Sequence, residues 1–140
     1  MRVGCIGIGG RLGTLITDLL ALYDDAELAA YVEVKTREQL MEQHPKIKEQ
    51  ISCARSYPTA EAMLESETLD GIMIGTRCSS HARLAELVIK KGIPLFLEKP
   101  AATTLDDWQR LRNIYEKHNN KAVVSFPLRV SPLLDDVKEI

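Results

Sequence analysis

Three groups of residues in this 140-residue chain have the types and spacing to do chemistry. The first is Gly7-Ile8-Gly9-Gly10-Arg11-Leu12-Gly13, spaced G-x-G-x-x-x-G. Glycines in such a run permit a tight turn and let backbone N–H groups approach a phosphate, while a helix opening behind them adds the positive end of its dipole. Gly7, Gly9, Gly10, Arg11 and Leu12 are therefore candidates to bind the diphosphate of a dinucleotide, with an ordinary glycine-rich turn as the plain alternative. Leu12 stands where the common fingerprint has its third glycine, which bears on how closely helix and strand approach. The second group is Glu33, 26 residues after Gly7. In dinucleotide-binding folds an acidic side chain roughly 20 residues on accepts from the adenosine ribose hydroxyl. Its charge would repel a 2′-phosphate and so favours NAD, although Lys35 and Arg37 can pair with that phosphate and keep NADP open. A solvated strand-end glutamate is the alternative. The third group is Glu98-Lys99-Pro100. Beside a nicotinamide, the Lys99 ammonium would donate to a substrate hydroxyl or carbonyl oxygen and stabilise negative charge developing there. Glu98 would hold that ammonium or contact the cofactor ribose, against the alternative of a surface Lys–Glu pair at a turn.

Other reactive side chains carry less. Ser79, Ser80 and His81 adjoin one another, but no nucleophile-elbow glycines surround them. His44 and His118 read as helix-end surface residues, and no His/Cys/Asp spacing resembles a metal site. Cys78 reads as a packing residue, with reactivity the lesser alternative. Trp108 and Tyr115, at helical spacing, read as core contacts.

These groups need elements to place them. Arg2–Ile8 is short, apolar and bounded by glycines, so it reads as a buried strand. Leu12, Leu15, Ile16, Leu19, Leu20 and Tyr23 recur at helical spacing. Glu27–Glu33 is a second strand. Thr36 and Gln39 form a capping-box pattern for a helix that Pro45 interrupts or restarts. Ile51–Ser56 is a weak third strand and Thr59–Ser66 a short helix. Leu69–Gly75 is a strand. A helix capped by Ser79 or Ser80 then runs to Lys91, where Gly92 supplies a left-handed stop. Ile93–Leu97 is a strand, Thr104 with Asp107 opens a helix through Leu105, Trp108, Leu111 and Tyr115, and Ala122–Phe126 is the last strand. Strands alternating with helices predict an α/β fold, a doubly wound parallel sheet of about six strands in order 3-2-1-4-5-6, Rossmann-like. The three chemical groups then all fall at carboxyl ends of strands, where such sheets bind ligands.

Bulk properties narrow the class. A 45% hydrophobic content suffices for a core, and 18 basic against 20 acidic residues leave a charge of −2. With no basic excess, nucleic acid is not expected as a partner. No apolar run approaches the ~20 residues of a membrane span, and none is expected to bind a membrane. Cys5, Cys53 and Cys78 form no C-x-x-C pair, which suits a reducing, cytoplasmic setting better than a disulfide framework.

Taken together, Gly7/Gly9, Glu33, Thr76 with His81, Glu98-Lys99-Pro100-Ala101-Ala102 and the passage Phe126-Pro127-Leu128-Arg129-Val130-Ser131-Pro132 resemble the glucose–fructose oxidoreductase / inositol dehydrogenase (Gfo/Idh/MocA) family. Arg77 replaces the proline of the family's T-P-x-x-x-H turn. The resemblance implies an NAD(P)-binding Rossmann domain over residues 1–126. It makes residues 127–140 the start of a connection to an α+β substrate domain that the chain lacks. It implies an oxidoreductase transferring hydride between nicotinamide and a sugar, polyol or related small molecule. Lys99 would be catalytic; Thr76, His81, Glu98 and Lys99 would join Gly7, Gly9, Gly10, Arg11, Leu12 and Glu33 at the cofactor. The partner acid/base, usually a histidine, would come from the second domain, so the chain alone is expected to be inactive. It raises the chance that the bond between Lys99 and Pro100 is cis. A non-catalytic dinucleotide sensor or scaffold is the other reading, and association into a homo-oligomer is open. Leu133, Leu134, Val137 and Ile140 begin an apolar helical face, which suggests a fragment of a longer protein.

Overall fold

The structure is a computed structural model that describes residues 1–127. Six strands and six helices alternate along it: β1 (Arg2–Ile6), α1 (Gly10–Leu22), β2 (Glu27–Val32), α2 (Arg37–Gln43), α3 (Lys48–Cys53), β3 (Arg55–Tyr57), α4 (Ala60–Ser66), β4 (Gly71–Ile74), α5 (His81–Lys90), β5 (Leu95–Glu98), α6 (Leu105–His118) and β6 (Ala122–Ser125). All five neighbouring pairs are parallel, in the expected order β3-β2-β1-β4-β5-β6. The apolar face expected from Leu133 to Ile140 lies outside the described residues.

Local chemistry sets most helix ends. Thr36 and Gln39 form the reciprocal capping box at α2. Thr59 accepts from the Ala62 N–H at α4, and Thr104 from the Asp107 N–H at α6, each satisfying one amide a helix start leaves orphaned. Gly92 turns with φ +72°, and Asn119 ends α6 in the left-handed region. Two expectations fail locally. Ile51–Cys53 belong to α3, and only Arg55–Tyr57 pair with β2. Pro45 opens a 3₁₀ turn that restarts the helix, so Ile47 and Ile51 fall four residues apart on one buried helical face. Nor does Ser79 or Ser80 cap α5 with its side chain. Cys78–Ser80 wind into a 3₁₀ turn instead, in which the Ser80 N–H donates to the Arg77 carbonyl.

Strand alternation sends side chains to two cores. Val3 and Cys5 join Leu12, Ile16, Tyr31, Leu40 and Ile51 beneath α1–α3. Ile6, Ile72 and Ile74 join Met63, Val88, Leu97 and Leu111 beneath α4–α6. Burial raises the Cys5 thiol pKa far above its ordinary value, keeping it an inert apolar group. On α6 only Leu111 is buried. Trp108 and Tyr115, expected in the core, are 48% and 40% exposed and rim a cavity of ≈ 190 Å³ between α6 and the sheet. Their 3.6-residue spacing is right, but the sheet beneath is narrow and ends at the four-residue β6.

His44 also departs from expectation. It is buried rather than a surface residue, because Gly13 leaves α1 without a side chain where the imidazole packs. A Cβ on Gly13 would overlap that ring. Gly13→Ala is expected to cost about 1–3 kcal/mol through overpacking, offset by up to ~1 kcal/mol of helix propensity. Urea unfolding measures it, and adding His44→Ala should recover the propensity gain; an equal loss in both backgrounds would place the strain elsewhere.

Candidate cofactor-binding crevice

The loop from β1 to α1 is shaped by contacts across the sheet. The Gly7 N–H donates to the Val32 carbonyl at 2.8 Å, and Gly7 turns with φ +80°. A Cβ there would come 2.7 Å from Thr76 Cγ2 and 2.9 Å from the Thr76 nitrogen, so both conformation and space demand glycine. Gly9 is the N-cap of α1, and no side chain satisfies that end of the helix. A Cβ on Gly9 would touch only the Gly75 oxygen, at an ordinary 3.6 Å, so its backbone borders open space. Leu12 is 1% exposed. A Cβ on Gly75 would lie 2.8 Å from Leu12 Cβ. The room that a third loop glycine would provide is supplied from the opposite wall by Gly75, and Leu12 fills it. Gly75 was not singled out from sequence.

Glu33 follows β2 and is half-buried. Its Oε2 accepts from the Ile8 N–H at 2.7 Å, and its Oε1 from the Val34 N–H at 2.7 Å and the Lys35 N–H at 3.4 Å. The carboxylate therefore braces the glycine loop from the end of β2, a tie invisible in spacing. Arg37 is engaged elsewhere: it donates to the Tyr31 hydroxyl and to the Ser52 and Ala54 carbonyls. The Lys35 ammonium donates to the Gln43 side chain, so of the two basic residues only Lys35 stays near the loop.

The other wall comes from β4 and β5. Gly9, Gly10, Arg11, Leu12, Gly75, Thr76, Cys78, His81, Glu98 and Lys99 line one cleft of ≈ 270 Å³. The structure thus brings together every expected site residue except Glu33, which reaches the loop through Ile8, and Gly7, which sits beneath Thr76. His81 is 1% exposed, with Nδ1 2.8 Å from the Pro100 carbonyl and Nε2 3.1 Å from the Thr76 carbonyl. It ties the two loops of this wall together; a neutral imidazole donates to one of these carbonyls at a time. The peptide bond from Lys99 to Pro100 is cis. Lys99 is exposed at the cleft. Glu98 does not pair with it. Its Oε1 lies 2.9 Å from Arg11 Nε, across the cleft on the first turn of α1. Cys78 is an exposed free thiol in the cleft rather than a packed one, and Cys5 and Cys53 are free as well. Among the described residues no cluster of His, Cys, Asp or Glu could hold a metal ion, and no helix is long and apolar enough to cross a membrane.

A glycine loop with an uncapped helix behind it, an acid at the end of β2 and an ammonium at the end of β5 define a dinucleotide-binding α/β domain. Residues 1–126 match the oxidoreductase family with the NAD-binding Rossmann fold, GFO_IDH_MocA, and the chain belongs to that family as its NAD-binding domain. It is 30% identical over 111 residues to the myo-inositol 2-dehydrogenase of Thermotoga maritima, covering 79% of this chain and 31% of that protein. It is 24% identical over 138 residues to the rhizopine catabolism protein MocA of Rhizobium meliloti, covering 99% of this chain and 41% of that protein. The fold superposes on scyllo-inositol dehydrogenase from Lactobacillus casei, solved with NAD(H) and scyllo-inositol, with TM-score 0.80 at 20% identity over 99% of this chain and 40% of that one. The chain thus spans between about a third and two fifths of the length of these relatives.

Proposed function

We propose that this chain is the cofactor half of a dehydrogenase that moves hydride between NAD(H) and a hydroxyl-bearing small molecule of the sugar or polyol class. The observation that carries the reading is the exposed Lys99 ammonium in the same cleft as the glycine loop. The residues fit the cofactor: the backbone beside Gly9 is open, and the amides at the uncapped start of α1 suit a diphosphate. Gly7, Gly9, Gly10, Arg11 and Leu12 would hold that diphosphate, Glu33 the adenosine ribose, and Thr76, His81 and Glu98 the wall towards the nicotinamide. When bound, the nicotinamide supplies the site that accepts or gives up hydride. Lys99 donates a hydrogen bond to the substrate oxygen and stabilises the negative charge that develops there. His81, within hydrogen-bond reach of the Thr76 and Pro100 carbonyls, keeps the turn that carries Lys99 in register with β4.

A base within about 2.6–3.2 Å of the substrate hydroxyl is also required. The reading assigns it to a substrate domain reached through residues 127–140, with residues 1–126 as the dinucleotide domain. It further places the protein in the cytoplasm, consistent with three free thiols, and leaves homo-oligomer formation to light scattering. Lys99→Ala tests the reading. The variant should bind NADH within a few-fold of wild type, because an exposed ammonium contributes little to the fold. In a protein extended past Ile140 it should lose about 10²–10³-fold in kcat, the scale of one preorganised donor. The 140-residue chain itself should bind NADH without turnover. A sensor or scaffold has no need of Lys99: unchanged turnover in the extended variant, or no NADH binding by wild type, would refute the proposal.

A further inference from the structure

The ion pair between Arg11 and Glu98 has no part in the roles assigned so far to the glycine loop or to Lys99. Glu98 is 7% exposed at the end of β5, and its Oε1 is buried without a hydrogen bond. Arg11 Nε lies 2.9 Å from that oxygen but off the line that a hydrogen bond requires, so what holds the two is charge. A buried carboxylate whose countercharge is a half-exposed guanidinium is costly unless the guanidinium stays in place. Arg11 is engaged at its Nε edge, and its two terminal amino groups make no hydrogen bond among the described residues. The guanidinium lines the cleft beside Gly9 and Gly10, at the uncapped start of the thirteen-residue α1.

We propose that Glu98 is a positioning residue that acts through Arg11. The carboxylate fixes the guanidinium by one edge at the cleft, leaving the terminal amino groups to take a diphosphate oxygen pair in the forked geometry that arginine favours. Glu98 therefore acts through Arg11 rather than through Lys99, and it aligns the diphosphate end of the cleft with the end of β5 that carries Lys99. The inference rests on the reading that the cleft binds NAD(H).

A double-mutant cycle on the 140-residue chain tests it, with NADH and ADP as diphosphate-bearing probes and adenosine as a probe without one. Arg11→Ala should weaken NADH and ADP by about tenfold or more and leave adenosine unchanged, the loss of a charge-assisted fork. Glu98→Gln should weaken both diphosphate probes severalfold in the same pattern. Arg11→Ala with Glu98→Gln should be no worse than Arg11→Ala alone, since Glu98 has nothing left to position. The double variant also removes the stranded charge, so that a folding defect in Arg11→Ala is separated from a binding defect. Additive losses would mean that Glu98 touches the cofactor itself. Tighter NADH binding by Glu98→Gln would make Glu98 a competitor for Arg11. Equal losses for adenosine would make the pair merely structural. Any of these overturns the proposal while the cofactor reading stands; failure of wild type to bind NADH removes both.

Discussion

Gly9→Val should abolish measurable NADH binding and leave the chain folded. Gly9 has φ −71°, a conformation any residue adopts, and a Cβ there meets only the Gly75 oxygen at 3.6 Å. Among the described residues a Cβ at this position therefore meets only an ordinary contact. What it obstructs is the approach of a diphosphate to the loop backbone, and the branched side chain of valine cannot rotate clear on both sides. A loss of at least a hundredfold is expected, about 2.7 kcal/mol, with the melting temperature of the free chain changed little. Gly9→Ala should fall between. Gly7→Ala is the contrast: its φ of +80° and the clash with Thr76 lie within the protein, so that variant should lose stability and binding together. NADH fluorescence titration alongside thermal melts reads both; wild-type affinity in Gly9→Val would remove the loop from the binding site.

Glu33 is expected to show two separable effects. Its carboxylate carries the charge that would oppose a 2′-phosphate, and it also accepts the N–H of Ile8, a fully buried residue of the glycine loop. Glu33→Ala removes both. Stranding that amide should cost about 1–3 kcal/mol of stability, and losing the charge should raise the affinity for NADPH relative to NADH by about tenfold, with Lys35 alone of the two basic residues available to assist. Glu33→Gln keeps an acceptor oxygen and removes the charge, so it should keep most of the stability and still shift the cofactor ratio. Parallel titrations with NADH and NADPH, combined with urea unfolding, distinguish the two. An unchanged ratio in both variants would mean that the charge of Glu33 does not reach the 2′ position.

Much of the architecture was legible in sequence because its signals are local. The capping box at Thr36 and Gln39, the cap at Thr104 and the left-handed stop at Gly92 each involve residues within a few positions of one another. The alternation of apolar runs with 3.6-residue periods requires parallel strands, and chirality then leaves few sheet orders. Where local reading failed, the deciding contact was distant or marginal. Ile51 reads as a strand residue because an isolated apolar position near a three-residue strand does not reveal its period; its burial as part of α3, set by the restart at Pro45, does. The apolar spacing of Trp108 and Tyr115 marks a helix face but not how far the sheet beneath extends.

By itself the sequence determined the types of group at the cleft and the order in which they are reached: phosphate-accommodating glycines after β1, an acid after β2 and the Glu-Lys-Pro turn after β5. These follow from backbone freedom, charge and hydrophobic period, all properties of residues and their near neighbours. Only the tertiary structure decided which groups meet. Arg11 pairs with Glu98 across 87 positions, Gly75 supplies the room for Leu12, and His44 occupies the space beside Gly13. Glu33 spends its carboxylate on the Ile8 amide, and His81 joins Thr76 to Pro100. Those partnerships arise because a parallel sheet delivers the carboxyl ends of separate strands to one edge, and the distances there depend on the packing of both cores.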